Sequence, residues 1–271
     1  MDAAQRLRLC QERLGTRLCV GLDPDPASLP TPLRNEPKPW HRFLREIISA
    51  TAPFACAYKL NLAFYQQFGA EGWELLEYVR SLLPDTVVCI GDGKFADVPH
   101  TSGVYARTYF DRLGMDALTL SPYLGRDALE PFLERSDKLL FLLVRTSNPG
   151  AGEFQLLPTA SGVPLYLHIA MQALQWERRA QLGFVVGASA PQELAELRRI
   201  APGEWVLVPG IGAQGGNPAD VLAANGDAPL LVTVGRAILY ASTGTDFAEA
   251  AHRSAYAYAQ QVGFPTRHPM P

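Results

Sequence analysis

The chain has 271 residues, 48% of them hydrophobic, enough to bury a large core as one big α/β domain or two small ones. A formal net charge of −3 offers no overall attraction to nucleic acid or an anionic membrane, so any anionic ligand must be held locally. Cys10, Cys19, Cys56 and Cys89 form no Cys-x-x-Cys pair, segment 2–16 is charged and amphipathic rather than a signal peptide, and no run of about 18 apolar residues occurs. The expectation is a soluble, cytoplasmic protein with reduced, buried thiols.

After the first helix, 17–23 is a short apolar run closed by Asp23 and Pro24-Asp25-Pro26, a strand entering a loop. A Pro-rich stretch reaches about Pro39, helical periodicity spans 40–52, and 55–61 is apolar again with Lys59 near its end. A helix over about 65–83 leads to a strand at 86–90 and then to Gly91-Asp92-Gly93-Lys94-Phe95-Ala96-Asp97. The alternation continues: helix 98–113, strand 117–123, helix 126–137, and the very hydrophobic strand 139–147 ending in Ser147-Asn148-Pro149-Gly150. A longer connection, of the kind that serves as a lid or interface segment, precedes a helix over about 165–181. Strands at 184–189, 205–212 and 230–236 alternate with helices at 191–200, 218–225 and 247–261.

These eight apolar runs, continuous rather than alternating in hydrophobicity and each followed by a helical pattern, predict parallel strands buried on both faces. The number fits a closed TIM (β/α)8 barrel spanning 1–271 as one domain. A doubly wound open sheet is the competitor, but its Gly-x-Gly-x-x-Gly turn is replaced after the first strand by Gly-Leu-Asp-Pro-Asp-Pro.

In such barrels the active site lies at the strands' C-terminal ends, where Asp23, Lys59, Asp92, Lys94 and Ser147 would converge. Asp92 and Lys94, two residues apart on a strand, project from one face. Taken alone they also fit a solvated ion pair, but two lysines and two acids facing one lumen are costly unless they have a task. Asp97 precedes a Pro-containing helix start and fits an N-cap as well as a catalytic group. Strands seven and eight end in Pro209-Gly-Ile-Gly-Ala-Gln214-Gly-Gly and Gly235-Arg236, a phosphate site in the usual barrel position; the glycines alone would equally serve tight turns. His41, His100, His168, His252 and His268 are scattered without metal-ligand spacing, and no Gly-x-Ser-x-Gly turn is present. Lys94 as an ammonium poised to donate a proton fits better than Lys94 as a Schiff-base amine.

Asp92-Gly-Lys94-Phe-Ala-Asp97, Tyr58-Lys59-Leu60-Asn61, Ser147-Asn148-Pro149-Gly150-Ala and Pro209-Gly-Ile-Gly-Ala-Gln214 together resemble the orotidine 5′-phosphate decarboxylase family, in its longer bacterial type 2 subfamily. The resemblance extends from Gly21 to Arg236, with Leu60 where type 2 members often carry proline. It implies decarboxylation of orotidine 5′-phosphate to uridine 5′-phosphate, the last step of de novo UMP biosynthesis, by a homodimer without metal or organic cofactor. By that resemblance Asp23 and Lys59 hold the ribose hydroxyls, Asp92 lies near the departing carboxylate, and Lys94 protonates the pyrimidine carbon. Asp97 and Thr101 would come from the partner subunit, Ser147 would contact the pyrimidine, and Pro209, Gln214, Gly235 and Arg236 would lie at the phosphate end. Two other readings stand beside it: a sugar-phosphate decarboxylase or aldolase sharing Asp-x-Lys-x-x-Asp, which carries an acidic metal ligand where Lys59 stands, and a catalytically silent phosphate-ligand sensor.

Overall fold

The computed structural model describes residues 1–212 and 215–264. Strands β1 (Leu18–Gly21), β2 (Ala57–Asn61), β3 (Val88–Phe95), β4 (Ala117–Leu120), β5 (Leu139–Arg145), β6 (Gln181–Val186), β7 (Trp205–Pro209) and β8 (Leu230–Val234) pair in chain order, all parallel. β8 returns to β1, with Val232 opposite Leu18, and closes the barrel. Every position of β1 and β8 is buried, as expected of apolar strands covered on both faces.

Helix α1 (Ala3–Leu14) precedes the barrel, and α2 (Pro39–Thr51), α3 (Leu62–Gln66), α4 (Ala70–Leu82), α5 (Pro99–Ala106) and α6 (Arg126–Leu133) connect the first five strands. α7 (Gly152–Gln155), α8 (Leu165–Leu174), α9 (Pro191–Ile200) and α10 (Pro218–Asn225) follow, and α11 (Arg236–Leu239) and α12 (Phe247–Gln261) come after β8. The outer helices bury one stripe: in α2, Phe43, Leu44, Ile47 and Ile48 face inward. Burying each such side chain contributes about 1.5–3 kcal/mol.

α1 shuts the N-terminal end of the barrel. A reciprocal capping box between Asp2 and Gln5 starts it, and Gly15 in the left-handed conformation stops it. Its Gln11 side chain donates to the Leu230 carbonyl at 2.7 Å, and Arg6 binds Asp116 and the Asp85 carbonyl, all at N-terminal strand edges. The opposite end remains the mouth.

Several boundaries differ from expectation for local reasons. The helix expected over 65–83 is two, because Asn61 caps α3 and Gly69, at φ 61°, breaks the chain before α4. The one expected over 98–113 passes after Ala106 into a π-helix, Arg107–Arg112. α6 ends at Leu133, whose carbonyl accepts the N–H groups of Arg179 and Ala180; these lead β6 in at Gln181 and end the preceding helical region early. Among the described residues no helix is long and apolar enough to cross a membrane, and the four cysteines are buried and unpaired.

Candidate active site

A cavity of about 400 Å³ opens at the C-terminal ends of the strands. Of the residues the sequence points to, Asp23, Lys59, Asp92, Lys94, Ser147, Pro209, Gly235 and Arg236 line it. Asp97 and Thr101 do not line it, and Gln214 lies outside the described residues.

At its floor Asp92 stands between two ammonium groups. Lys59 Nζ meets Asp92 Oδ2 and Lys94 Nζ meets Asp92 Oδ1, each at 2.7 Å. Within one chain the array is therefore a carboxylate held by two lysines rather than a lysine held by two acids. The Asp92 and Lys59 side chains are 9% and 7% exposed, whereas that of Lys94 is 47% exposed. Burial by itself would raise the Asp92 carboxyl, but Lys59 and then Lys94 outweigh it and hold the group well below the usual carboxylate range. Burial would likewise lower Lys59, yet Asp23 and Asp92 together raise it above an ordinary lysine.

β3 delivers Asp92 and Lys94 through an irregularity. Gly91 pairs with Leu118, the next pair is Phe95 with Leu120, and Lys94 takes φ 50°. A left-handed residue bearing a side chain costs roughly 1–2 kcal/mol, so the surroundings must hold it. Gly93 gives the Phe95 ring its room in this bulge: a Cβ there would lie 2.4 Å from the ring, which would have to shift.

β1 contributes Asp23, whose Oδ1 accepts the Asn61 N–H at 3.2 Å. Tyr240 and Tyr65 brace this corner, donating to the carbonyls of Asp23 and Leu22. At the end of β5, Ser147 abuts Gly187, and Thr146 is gripped by Gln155 of α7 through two hydrogen bonds of 2.9 Å. Gly210, which lines the cavity, and Gly212, where a Cβ would lie 2.9 Å from Tyr258 Oη, adopt positive φ at the end of β7. Arg236 is exposed at the rim and its guanidinium makes no hydrogen bond or ion pair among the described residues, leaving its fork available for an anion.

Asp97 is held otherwise. Its Oδ1 accepts the Val98 N–H at 2.7 Å, while its own N–H donates to Ser102 Oγ. Val98, not Asp97, occupies the N-cap position of α5, so the capping alternative is not realised. Sequence reasoning missed Thr119, Thr233 and the apolar wall of Leu143, Val185 and Leu207, and gave no role to Asn148 and Ile211, which stand in the quoted motifs. The lone Thr within Ala117-Leu-Thr-Leu120 was the one signal available for Thr119. Among the described residues no group of three or more His, Cys, Asp or Glu side chains is arranged to hold a metal ion.

An eight-strand parallel barrel with a cavity and a charge array at the C-terminal ends of its strands has the architecture of the (β/α)8 enzymes. Residues 16–253 match the family described as orotidine 5′-phosphate decarboxylase / HUMPS. The chain is 48% identical to the orotidine 5′-phosphate decarboxylase of Thermomicrobium roseum, across 94% of this chain and 92% of that one. It is 46% identical to that of Roseiflexus castenholzii, across 94% and 95%. The solved structure of Leishmania donovani OMP decarboxylase superposes with a TM-score of 0.83 at 32% identity, covering 97% of each chain. The chain belongs to the orotidine 5′-phosphate decarboxylase / HUMPS family, and it is a decarboxylase of the last step of UMP biosynthesis.

Proposed function

We propose that in the decarboxylation of orotidine 5′-phosphate Lys94 is the proton donor and that no metal or organic cofactor takes part. The bond from pyrimidine carbon 6 to the carboxylate breaks, carbon dioxide leaves, and the electron pair stays on carbon 6. Lys94 Nζ transfers a proton to that carbon and is reprotonated from solvent. The carbanion has no adjacent carbonyl to delocalise it, so stabilisation near or above the top of the roughly 8–23 kcal/mol range must come from fixed charge. The observation that carries this reading is the Lys59–Asp92–Lys94 chain of contacts at 2.7 Å in the mouth. Fixed charges already paired in this way need little reorganisation during reaction.

Asp92 faces the departing carboxylate, and its negative charge favours loss of that group. Asp23 and Lys59 bind the ribose hydroxyls, Ser147 the pyrimidine, and Pro209, Gln214, Gly235 and Arg236 the phosphate end. Phosphate binding far from the broken bond supplies energy that can be spent at the reacting carbon.

The working unit is a homodimer in the cytoplasm, with Asp97 and Thr101 completing the partner subunit's site. Three features support the dimer: Asp97 and Thr101 lie outside their own cavity, α5 and its cap expose Val98 and Val104, and a second hollow of about 430 Å³ shares Asp92 and Lys94 and can receive a neighbour's loop. Buried, unpaired cysteines support the compartment.

Loss of orotate-ring absorbance by EDTA-treated protein tests cofactor independence; dependence on added magnesium would contradict it. Mixing Asp97→Ala and Lys94→Ala chains tests the shared site. Recovered turnover is expected, and none from verified heterodimers would contradict it.

A further inference from the structure

One residue of β4 faces three of β3. Between the pairs Gly91–Leu118 and Phe95–Leu120, Asp92, Gly93 and Lys94 share Thr119 as their sole counterpart. The surplus backbone leaves the ladder at Lys94, the single non-glycine residue with positive φ among the described residues. The Lys94 N–H finds another acceptor, donating to Thr119 Oγ1 at 3.0 Å. The same hydroxyl gives its own proton to Asp92 Oδ1 at 2.8 Å, and that oxygen also receives Lys94 Nζ at 2.7 Å. A closed loop results: Lys94 backbone to Thr119, Thr119 to Asp92, Asp92 to the Lys94 side chain.

Thr119 is only 2% exposed and sits among Ala117, Leu118 and Leu120. Valine would fill the same volume and suit the strand equally. Only the hydroxyl joins the left-handed backbone of Lys94 to the carboxylate that receives its ammonium.

We propose that Thr119 is a positioning residue of the decarboxylation, setting the direction of Lys94 Nζ before substrate arrives by fixing both the Lys94 backbone and the Asp92 carboxylate. The inference rests on Lys94 as proton donor. Without the hydroxyl the Lys94 N–H loses its acceptor and Asp92 Oδ1 loses a donor; Lys59 still holds Oδ2, but the Lys94 backbone and the oxygen its ammonium meets are no longer tied to each other. Misplacing a reacting group by about 1 Å can lower a rate by about 10²-fold. Ser147, after β5, and Gly235 and Arg236, after β8, lie away from the β3–β4 irregularity and are untouched, so binding should survive.

The test compares Thr119→Val, Thr119→Ala, Thr119→Ser and Lys94→Ala proteins by initial rates with orotidine 5′-phosphate and by calorimetric titration with uridine 5′-phosphate. Thr119→Val and Thr119→Ala are expected to lose about 10- to 100-fold in kcat. KM and uridine 5′-phosphate affinity should change little, and Thr119→Ser should recover most of the rate. Wild-type kcat in Thr119→Val and Thr119→Ala beside an inactive Lys94→Ala overturns the role of Thr119 and leaves Lys94 standing. Rate and affinity falling together in Thr119→Ala without rescue by serine assigns Thr119 to the fold alone and also overturns it. Wild-type turnover in Lys94→Ala removes the reading of Lys94 itself. Should Thr119→Val not fold, the alanine and serine variants, which add no methyl beside Asp92, separate the same outcomes.

Discussion

Lys59 Nζ and Asp92 Oδ2 are 2.7 Å apart with side chains 7% and 9% exposed, whereas Lys94 reaches the other oxygen of Asp92 from a side chain 47% exposed. The two contacts have equal length and unequal surroundings, so their removal should differ. Taking away one partner of a buried pair costs about 3–5 kcal/mol, because a charge is left uncompensated. An exposed pair is worth about 0–1 kcal/mol. Asp92→Ala should therefore lower the free energy of unfolding by several times more than Lys94→Ala, although both remove a contact to the same centre. Urea unfolding at neutral pH measures this; equal losses would contradict the assignment of Asp92 as the buried hub.

The same pair gives stability a pH signature. Asp92 is held below an ordinary carboxylate, whose unfolded value is about 3.9, so its contribution is full above that value. As pH falls below about 4 the unfolded chain takes up a proton that the native chain refuses, and the contribution is lost. Lys59 is held above an ordinary lysine, so its contribution is full below about 10.4 and declines as pH rises past it. The unfolding free-energy gap between wild type and Asp92→Asn should be widest between about pH 5 and 9 and shrink at both ends. A gap independent of pH would contradict this.

Gly187 is defined by a neighbour distant in sequence. A Cβ on it would lie 2.8 Å from the N, Cα and Cβ atoms of Ser147. Gly187→Ala should push Ser147 away from the mouth, raising KM about 10-fold, an effect of about 1.4 kcal/mol. The overpacking itself should lower stability by about 1–3 kcal/mol. An unchanged KM in the folded variant would show that Ser147 does not contact the ligand.

The thiols should be silent in the native protein. Burial pushes Cys19 and Cys89 up to about 12 and Cys56 well above its ordinary value, and Cys10 is buried too. At pH near 8, where about a quarter of free thiols are ionised, none of the four should react with Ellman's reagent until denaturant is added. Rapid labelling of folded protein would contradict the packing around β1–β3.

The barrel was legible because parallel strands covered on both faces write themselves as unbroken apolar runs, such as Leu139–Arg145. Asp23, Lys59, Asp92 and Lys94 were legible for the converse reason, since a charge at the end of such a run is conspicuous. That Lys59 meets Asp92 alongside Lys94 was not, because Lys59 lies 33 residues away and only strand pairing brings it near. Thr119 was hidden because threonine is an ordinary strand residue, and Leu143, Val185 and Leu207 read as core although they wall the cavity. Gly187 gave no sign, since its requirement depends on Ser147 across the β5–β6 junction. The break at Gly69 was visible in the residue itself and overridden by the helical pattern around it.

Proton donation by Lys94 is tested most directly by Lys94→Ala, with kcat for orotidine 5′-phosphate and affinity for uridine 5′-phosphate measured on the same preparation. A positioned proton donor contributes typically about 10²–10⁴-fold, and kcat should fall at least that far while nucleotide affinity stays near wild type. A kcat within about tenfold of wild type, or affinity lost in step with rate, would contradict it.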